Sequence, residues 1–461
     1  MTVSQAFLTA LSSHLKPEQL LTAPEDCWAY GYDNSRKQSA PDCVAFAQSH
    51  DDVAYIVRQC YEHRVPVVAR GRGTGTTGGA IPLRGGLVLS LERMDKIVNI
   101  DPANRAATVQ PGVLNQTLQE AAGQHGLFWP PDPSSAAFCS IGGNLAFNGA
   151  GPRAVKYGTP RENILGLTAV AGNGDTLRTG VYTTKGVVGY DLTRLLVGCE
   201  GTLGIITEAV LKLTPLAESK RILRAIYNDI DHAAQGVVQI MAQPVTPCAL
   251  EFIDGKAIEI IRDYSDADLP QGAGAMLMIE VDGPEIAMDA AVEKLTAAAS
   301  NSGLVEIKAA NSAQEAAALW ATRKALSPAL RKVAPNKLNE DVVVPVSNIP
   351  ALIKGLDALS KQYGIPIVNF GHAGNGNIHV NLLYDTQDPE QERNARPCLD
   401  KVFDLVIELR GTLSGEHGVG QEKRDYVQKE IDPVTLDLMR RIKDQFDPHN
   451  ILNPDKIFPL K

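Results

Sequence analysis

Hydrophobic and polar positions change their rhythm near residue 216. Before it, short apolar runs alternate with glycine-rich turns. Val65-Pro66-Val67-Val68-Ala69, Leu87-Val88-Leu89-Ser90-Leu91 and Ala106-Ala107-Thr108-Val109-Gln110 read as strands, and strand resumes near 164–171. Residues 52–64 carry helical spacing behind an acidic start, and Leu114 to His125 reads as a helix stopped by Gly126. Residues 130–151, opening on Pro130-Pro131-Asp132-Pro133, read as loop. Beyond 216, alanine-rich helical stretches (286–302, 313–332, 349–362, 395–410) alternate with short strands at 247–253, 275–281, 340–345, 366–370 and 378–384. That second texture predicts a separate α+β domain. The tail from about 418 reads as helical and ends in Ile451-Leu452-Asn453-Pro454.

Within the second region, Pro366-Ile367-Val368-Asn369-Phe370 and Ile378-His379-Val380-Asn381-Leu382-Leu383 flank a Gly374-Asn375-Gly376 turn, the pattern of a hairpin. A period of two places His379 and Asn381 on one face and Ile378, Val380 and Leu382 on the other. His372 precedes the turn and can fold back beside His379. With Glu416, in Ser414-Gly415-Glu416-His417-Gly418, the two imidazoles would leave open positions on a divalent metal such as Zn²⁺. His417 would then remain as a general base. The spacing fits no standard zinc motif and equally suits two structural histidines and a solvated Glu-His pair.

A chain of 461 residues exceeds one compact core. The formal net charge of −9 excludes counterion-driven nucleic-acid binding. Seven scattered cysteines with no C-x-x-C spacing point to reduced thiols, with neither a disulfide framework nor a metal cluster held by this chain alone. No basic leader or apolar run of about 18 residues appears. The expectation is a cytoplasmic protein, with peripheral association at the inner membrane face still open.

Gly73-Thr74-Gly75-Thr76-Thr77-Gly78 matches G-x-G-x-x-G, yet Pro82 and Gly85-Gly86 follow and the next element is a strand. No helix can start there, so this is not a Rossmann fingerprint. Its backbone N–H groups can still form an anion nest suited to a diphosphate, the alternative being an ordinary flexible loop.

The order of Val67-Val68-Ala69-Arg70-Gly71-Arg72-Gly73-Thr74-Gly75, Pro131-Asp132-Pro133, Ser140-Ile141-Gly142-Gly143-Asn144, Lys156-Tyr157-Gly158-Thr159 and Gly198-Cys199-Glu200-Gly201-Thr202-Leu203-Gly204-Ile205 resembles FAD-binding domains of the vanillyl-alcohol-oxidase type. The resemblance implies a two-subdomain α+β FAD domain over 1–215. An α+β cap (substrate) domain with a central antiparallel sheet and the metal site would follow over 216–417. A helical segment, 418–461, would return to the FAD domain.

In such proteins Arg70, Gly71, Arg72, Gly73, Thr74, Gly75 and Thr76 would wrap the pyrophosphate. Pro131, Asp132, Ser135, Ser140, Gly142, Gly143, Asn144, Asn148, Gly151, Glu200, Gly201, Gly204 and Ile206 would line flavin and adenine, with Asn453 joining from the tail. Several relatives attach FAD through a histidine in the glycine loop. Residues 70–79 contain none, so a non-covalent, dissociable FAD is expected.

Gly371-His372-Ala373-Gly374-Asn375-Gly376-Asn377-Ile378-His379-Val380-Asn381 and Ser414-Gly415-Glu416-His417-Gly418 resemble signatures of FAD-dependent D-2-hydroxyacid dehydrogenases. These include cytochrome-type D-lactate dehydrogenases, D-2-hydroxyglutarate dehydrogenases and the glycolate oxidase flavin subunit. The resemblance implies metal ligands His372, His379 and Glu416, usually around Zn²⁺, and His417 as catalytic base. Asn375 stands where the family more often has Asp.

Arg323 matches the family's substrate-carboxylate arginine, with Ser327 one helical turn later and Asn381 beside His379. An exposed helix arginine is the plain alternative. The hydroxyglutarate enzymes use a lysine two residues before an Asp-Val step. Here that position is Asn339, and Lys337 lies two residues further back, which leaves the substrate side chain open.

The expected reaction is oxidation of a D-2-hydroxy acid, of the D-lactate or D-2-hydroxyglutarate class, to the 2-oxo acid. Hydride would pass from C2 to FAD N5. An alternative is a glycolate-oxidase-type flavin subunit of a multi-subunit electron-transfer complex. The acceptor would be an electron-transfer flavoprotein, quinone, cytochrome or iron–sulfur protein. A homodimer is compatible with the sequence. Rival readings are a sugar or phenol oxidase, an electron-transfer flavin subunit whose own pocket is idle, and a non-catalytic metal-binding module.

Overall fold

The computed structural model describes residues 3–262 and 269–460. It divides into two compact units. The first comprises residues 1–150, 158–216 and 416–461, and the second comprises 151–157 and 217–415.

The first unit opens with a four-stranded sheet, in which Leu87–Ser90 pairs in parallel with both Cys43–Phe46 and Val67–Arg70. The helix His50–His63 connects Cys43–Phe46 to Val67–Arg70, the two strands that flank Leu87–Ser90 in the sheet. Ser49 caps that helix by accepting the Asp52 N–H. Val53, Ile56, Val57 and Cys60 recur at helical spacing and pack with Cys43, Val67, Leu87 and Leu89 in one core. A second, five-stranded antiparallel sheet has Ile205–Lys212 at its centre. Its core joins Ala107, Val109, Leu118, Leu145 and Leu211 around the fully buried Trp129.

Residues 130–151, which read as loop, contain a helix at Ile141–Phe147. Two glycines in its first turn lower its intrinsic propensity and hide it from a pattern reading. Gly142 is needed there because a Cβ would stand 2.6 Å from Pro111 Cβ. Ser140 supplies the N-cap by accepting the Gly143 N–H.

In the second unit we number strands β1 (Ser219–Tyr227), β2 (Ala249–Asp254), β3 (Ala275–Gly283), β4 (Leu304–Ala309), β5 (Asn336–Val343), β6 (Ile367–His372) and β7 (Asn377–Tyr384). They form a seven-stranded sheet in the order β4-β1-β3-β2-β6-β7-β5, and every neighbouring pair is antiparallel. Of its helices, α1 (Ala313–Ala329) covers part of one face. Its Leu319, Leu326 and Ala329 pack with Ile253, Met276, Met278, Val368 and Phe370.

Registers fix what else that face carries, since directly opposed residues point to the same side. Glu251 opposes His372, and Phe370 opposes His379. On the far side of β7, Asp341 opposes His379, Asn339 opposes Asn381 and Lys337 opposes Leu383. A polar stripe therefore crosses β2, β6, β7 and β5 on the face that α1 closes elsewhere with apolar contacts. The opposite face keeps Leu250, Phe252, Ile378, Val380 and Leu382 buried.

Candidate active site

His372 and His379 are both buried, and their rings meet edge to face at 5.1 Å between centroids. The β6–β7 hairpin brings them together. A short 3-10 turn over Ala373–Asn375 is closed by Gly376 at φ +76°, and a Cβ on Gly376 would lie within 1.9 Å of the Val344 carbonyl oxygen. Imidazole Nδ1 of His372 lies 2.6 Å from Glu251 Oε1. The other oxygen of Glu251 accepts Arg323 Nε at 2.6 Å, and the Arg323 guanidinium stacks 4.8 Å from the Phe370 ring centroid. Burial pushes the Glu251 carboxyl up, and His372 and Arg323 more than reverse this, leaving it below the usual range.

Around this pair stand the other substrate-site residues read from the sequence. Arg323 is buried on the inner side of α1 rather than exposed. Asn381 is fully buried, with its amide donating to the Val368 and His379 carbonyls and Oδ1 without a partner among the described residues. Lys337 and Ser327 come together, Nζ donating to Ser327 Oγ at 2.8 Å. Sequence reasoning missed Glu251. The available signal was one acid in the otherwise apolar run Cys248-Ala249-Leu250-Glu251-Phe252-Ile253.

Asp341 is a second acid whose work the sequence did not reveal. Fully buried, it accepts Ser414 Oγ at 3.1 Å and the Gly415 N–H at 2.9 Å. Gly415 is joined by its peptide bond to Glu416. One ligand atom from each of His372, His379 and Glu416 lies within 4.8 Å of the others. Two nitrogens and a carboxylate oxygen at this separation suit a borderline-soft divalent cation, and the His372–Glu251 bond is the arrangement that orients a ligating histidine. These three residues could hold a metal ion.

In the first unit the glycine loop leaves Arg70, the last residue of its strand, and no helix follows. No backbone N–H from Gly71 to Gly79 donates to a protein acceptor among the described residues. Thr76 Oγ1 is buried and likewise unpartnered. An unsatisfied buried hydroxyl is rare in proteins. This cradle fits the diphosphate of an anionic cofactor.

Thr77, in the same loop, ties down the segment that carries His417. Its hydroxyl donates to the His417 carbonyl at 3.1 Å, and its own carbonyl accepts the Gln421 N–H at 2.9 Å. Glu200 completes the anchorage by accepting the N–H groups of Val419 at 2.6 Å and Gly420 at 2.8 Å. Glu200 adopts φ +51°, unusual for a side chain of its size, and burial raises its carboxyl to about 7. Lys456, which donates to the Ile81 carbonyl, is lowered by burial to about 8.

Many residues read as cofactor contacts use their side chains to build the frame. Asn453 donates to the Gly79 and Glu200 carbonyls. Arg70 donates to the Tyr32 carbonyl, and Arg72 pairs with Glu92. Asn144 accepts from Asn115, and the Pro131 carbonyl accepts from the same amide. Asn148, at φ +55°, accepts from Thr159 and Arg161. Ile206 lies in the sheet core, and Gly151 falls in the second unit.

An antiparallel seven-stranded sheet, a nucleotide-type loop and a His-His-Glu group point to a flavin-linked oxidoreductase. The comparisons agree. A family model described as "FAD linked oxidases, C-terminal domain" matches residues 216–457, and one described as "FAD binding domain" matches 41–180. The chain belongs to the FAD-linked oxidase family of the vanillyl-alcohol-oxidase type.

It is 43% identical to glycolate oxidase subunit GlcD of Bacillus subtilis, over 93% of this chain and 92% of that one. It is 33% identical to a D-lactate dehydrogenase of Anaerostipes hadrus (91% and 90%) and 32% to a D-2-hydroxyglutarate dehydrogenase of Stutzerimonas stutzeri (98% and 99%). A crystal structure of p-cresol methylhydroxylase with substrate bound shares the fold, with TM-score 0.80 at 20% identity over 99% and 97% of the two chains. Among the described residues no helix is long and apolar enough to cross a membrane.

Proposed function

We propose that the chain is the flavin-bearing subunit of a glycolate-oxidase-type complex and oxidises a small 2-hydroxy acid to the 2-oxo acid. The observation that carries this is the convergence of His372, His379 and Glu416, with Arg323 bonded to the same carboxylate as His372. The choice of glycolate over the D-lactate and D-2-hydroxyglutarate readings rests on two supports. Identity is 43% to the B. subtilis glycolate oxidase subunit, against 33% and 35% to two D-lactate dehydrogenases and 32% to a D-2-hydroxyglutarate dehydrogenase. In addition, Asn339 stands at the position where the hydroxyglutarate enzymes carry a lysine, and two donors of the neighbouring Lys337 go to Ser327 Oγ and the Ser327 carbonyl.

Bound FAD supplies a two-electron acceptor, and a bound divalent cation supplies a Lewis acid that lowers the pKa of the substrate hydroxyl. His372, His379 and Glu416 would hold the cation, and the Gly71–Gly79 backbone would hold the FAD diphosphate without a covalent bond. The chain's own residues do the rest. Arg323 has committed Nε to Glu251, and its Nη donors take the substrate carboxylate. His417 accepts the hydroxyl proton from a position set by Thr77 and Glu200. Buried Asn381 presents Oδ1 to a hydroxyl donor and helps keep water out.

Electrons then leave to a partner. The similar B. subtilis protein is itself a subunit, and this chain carries no cysteine pattern for a cluster of its own. An iron–sulfur subunit is the partner that suits both facts.

The test is flavin bleaching without oxygen by glycolate, D-lactate and D-2-hydroxyglutarate in turn. Glycolate should reduce the flavin fastest. Reduction by D-2-hydroxyglutarate alone would restore the dicarboxylate reading, and reduction by none of the three would defeat the proposal.

A further inference from the structure

A carboxylate at the middle of a buried strand is costly, because it gives up its hydration on leaving water. Glu251 is such a group. Its strand neighbours on the same face, Ala249 and Ile253, are buried and apolar, and its partner on β3 is Met278. A hydrophobic residue would extend that packing at lower cost, so stability alone does not account for the acid. What distinguishes Glu251 is what its two oxygens hold. One takes a ring nitrogen of His372 and the other takes Nε of Arg323, both at 2.6 Å. β2 and β6 place Glu251 and His372 directly opposite each other, and α1 delivers Arg323 from above.

We infer that Glu251 is a positioning residue that couples the metal-binding histidine pair to the arginine that grips the substrate carboxylate. The inference rests on the function proposed above. A carboxylate can only accept, so Nδ1 of His372 must donate. In a neutral imidazole this leaves Nε2 as the lone-pair atom that a cation requires, and it holds the ring plane at one angle. The same carboxylate fixes the rotation of the Arg323 guanidinium about its Nε–H, and so fixes where its Nη donors point. Cation and substrate carboxylate are thereby set in register by one side chain that touches neither.

The experiment is Glu251→Gln in the full chain reconstituted with FAD. A glutamine has one acceptor oxygen and must turn an NH₂ toward either His372 or Arg323. Zinc affinity, read by competition with a chromophoric chelator, should fall about 10- to 100-fold. The KM for the 2-hydroxy acid should rise more than kcat falls, because lost carboxylate binding is felt in the ground state and the transition state alike. FAD content reports that the first unit is intact.

A measurement on the native chain stands if the variant fails to fold. The ¹⁵N shifts of His372 in zinc-loaded protein, assigned with His372→Asn, should show Nδ1 protonated, and an Nε2–H signature overturns the inference. A glutamine variant with native zinc affinity and native KM also overturns it while leaving the proposed function intact. A native protein that takes up no zinc removes the metal reading, and this coupling falls with it.

Discussion

Glu200 offers a quantitative test of how the base-bearing segment is held. Its carboxylate is buried and accepts the Val419 and Gly420 N–H groups, which lie just beyond His417. Burial outweighs these bonds and the nearby Lys456 and Lys423, and places the carboxyl at about 7 against 4.5 for an ordinary glutamate. At about 1.4 kcal/mol per tenfold change in protonation, the difference corresponds to about 3 kcal/mol. The folded-state value is raised, so this contribution to stability is fully present below about pH 4.5 and is lost as the pH rises to about 7.

Native protein should therefore lose about 3 kcal/mol more than Glu200→Gln between pH 4.5 and 7.5. Keeping below pH 7.5 avoids most of the opposing titration of Lys456, which burial brings to about 8. Glutamine removes the titration but presents an NH₂ to one of two N–H donors, at a pH-independent cost of about 1–3 kcal/mol. The assay is urea unfolding of the FAD-loaded protein at intervals across that range, with flavin fluorescence reporting the first unit. Native and variant curves that run parallel would refute the argument.

His417→Ala should keep FAD and zinc while kcat falls about 100-fold or more, and near-native turnover would remove the base assignment. Asp341→Ala should cost about 3 kcal/mol, because it strips the charged acceptor from Ser414 Oγ and the Gly415 N–H; a denaturant midpoint unchanged from native would show those bonds contribute nothing net. Acid precipitation should leave the flavin in the supernatant, and a yellow pellet would indicate a covalent link. Removing divalent metal with a chelator should abolish flavin reduction by glycolate and restore it on adding Zn²⁺; unchanged reduction in the stripped protein would exclude the metal from the chemistry.

What the sequence could show is set by distance along the chain. Alternation on β7 and the glycine turn before it are local, and they placed His379 and Asn381 on one face correctly. The absence of a helix after the glycine loop was likewise readable from Pro82 and Gly85-Gly86. Glu251 reaches His372 across 121 residues, and only strand order and register bring the two together. Glu200 and Asn453 were placed beside the cofactor by resemblance. Their side chains also fasten loops to one another, through bonds between segments 253 residues apart that only the fold brings together. The helix at Ile141–Phe147 was lost to its own glycines, of which Gly142 allows the close approach to Pro111.

The polar stripe on the second unit's sheet has a consequence for how such an enzyme diversifies. Along β5, Lys337, Asn339 and Asp341 face the site, while Leu338, Glu340 and Val342 face away. Specificity positions and packing positions are interleaved in sequence yet act on separate surfaces. A lineage can exchange Asn339 for a lysine, or retire Lys337, by point substitution without disturbing the buried layer behind the strand. A one-residue insertion in β5 would do the reverse, because it would turn every following side chain to the wrong face at once. New substrates should therefore arise on this scaffold by substitution at alternate residues, with the lengths of its strands held fixed.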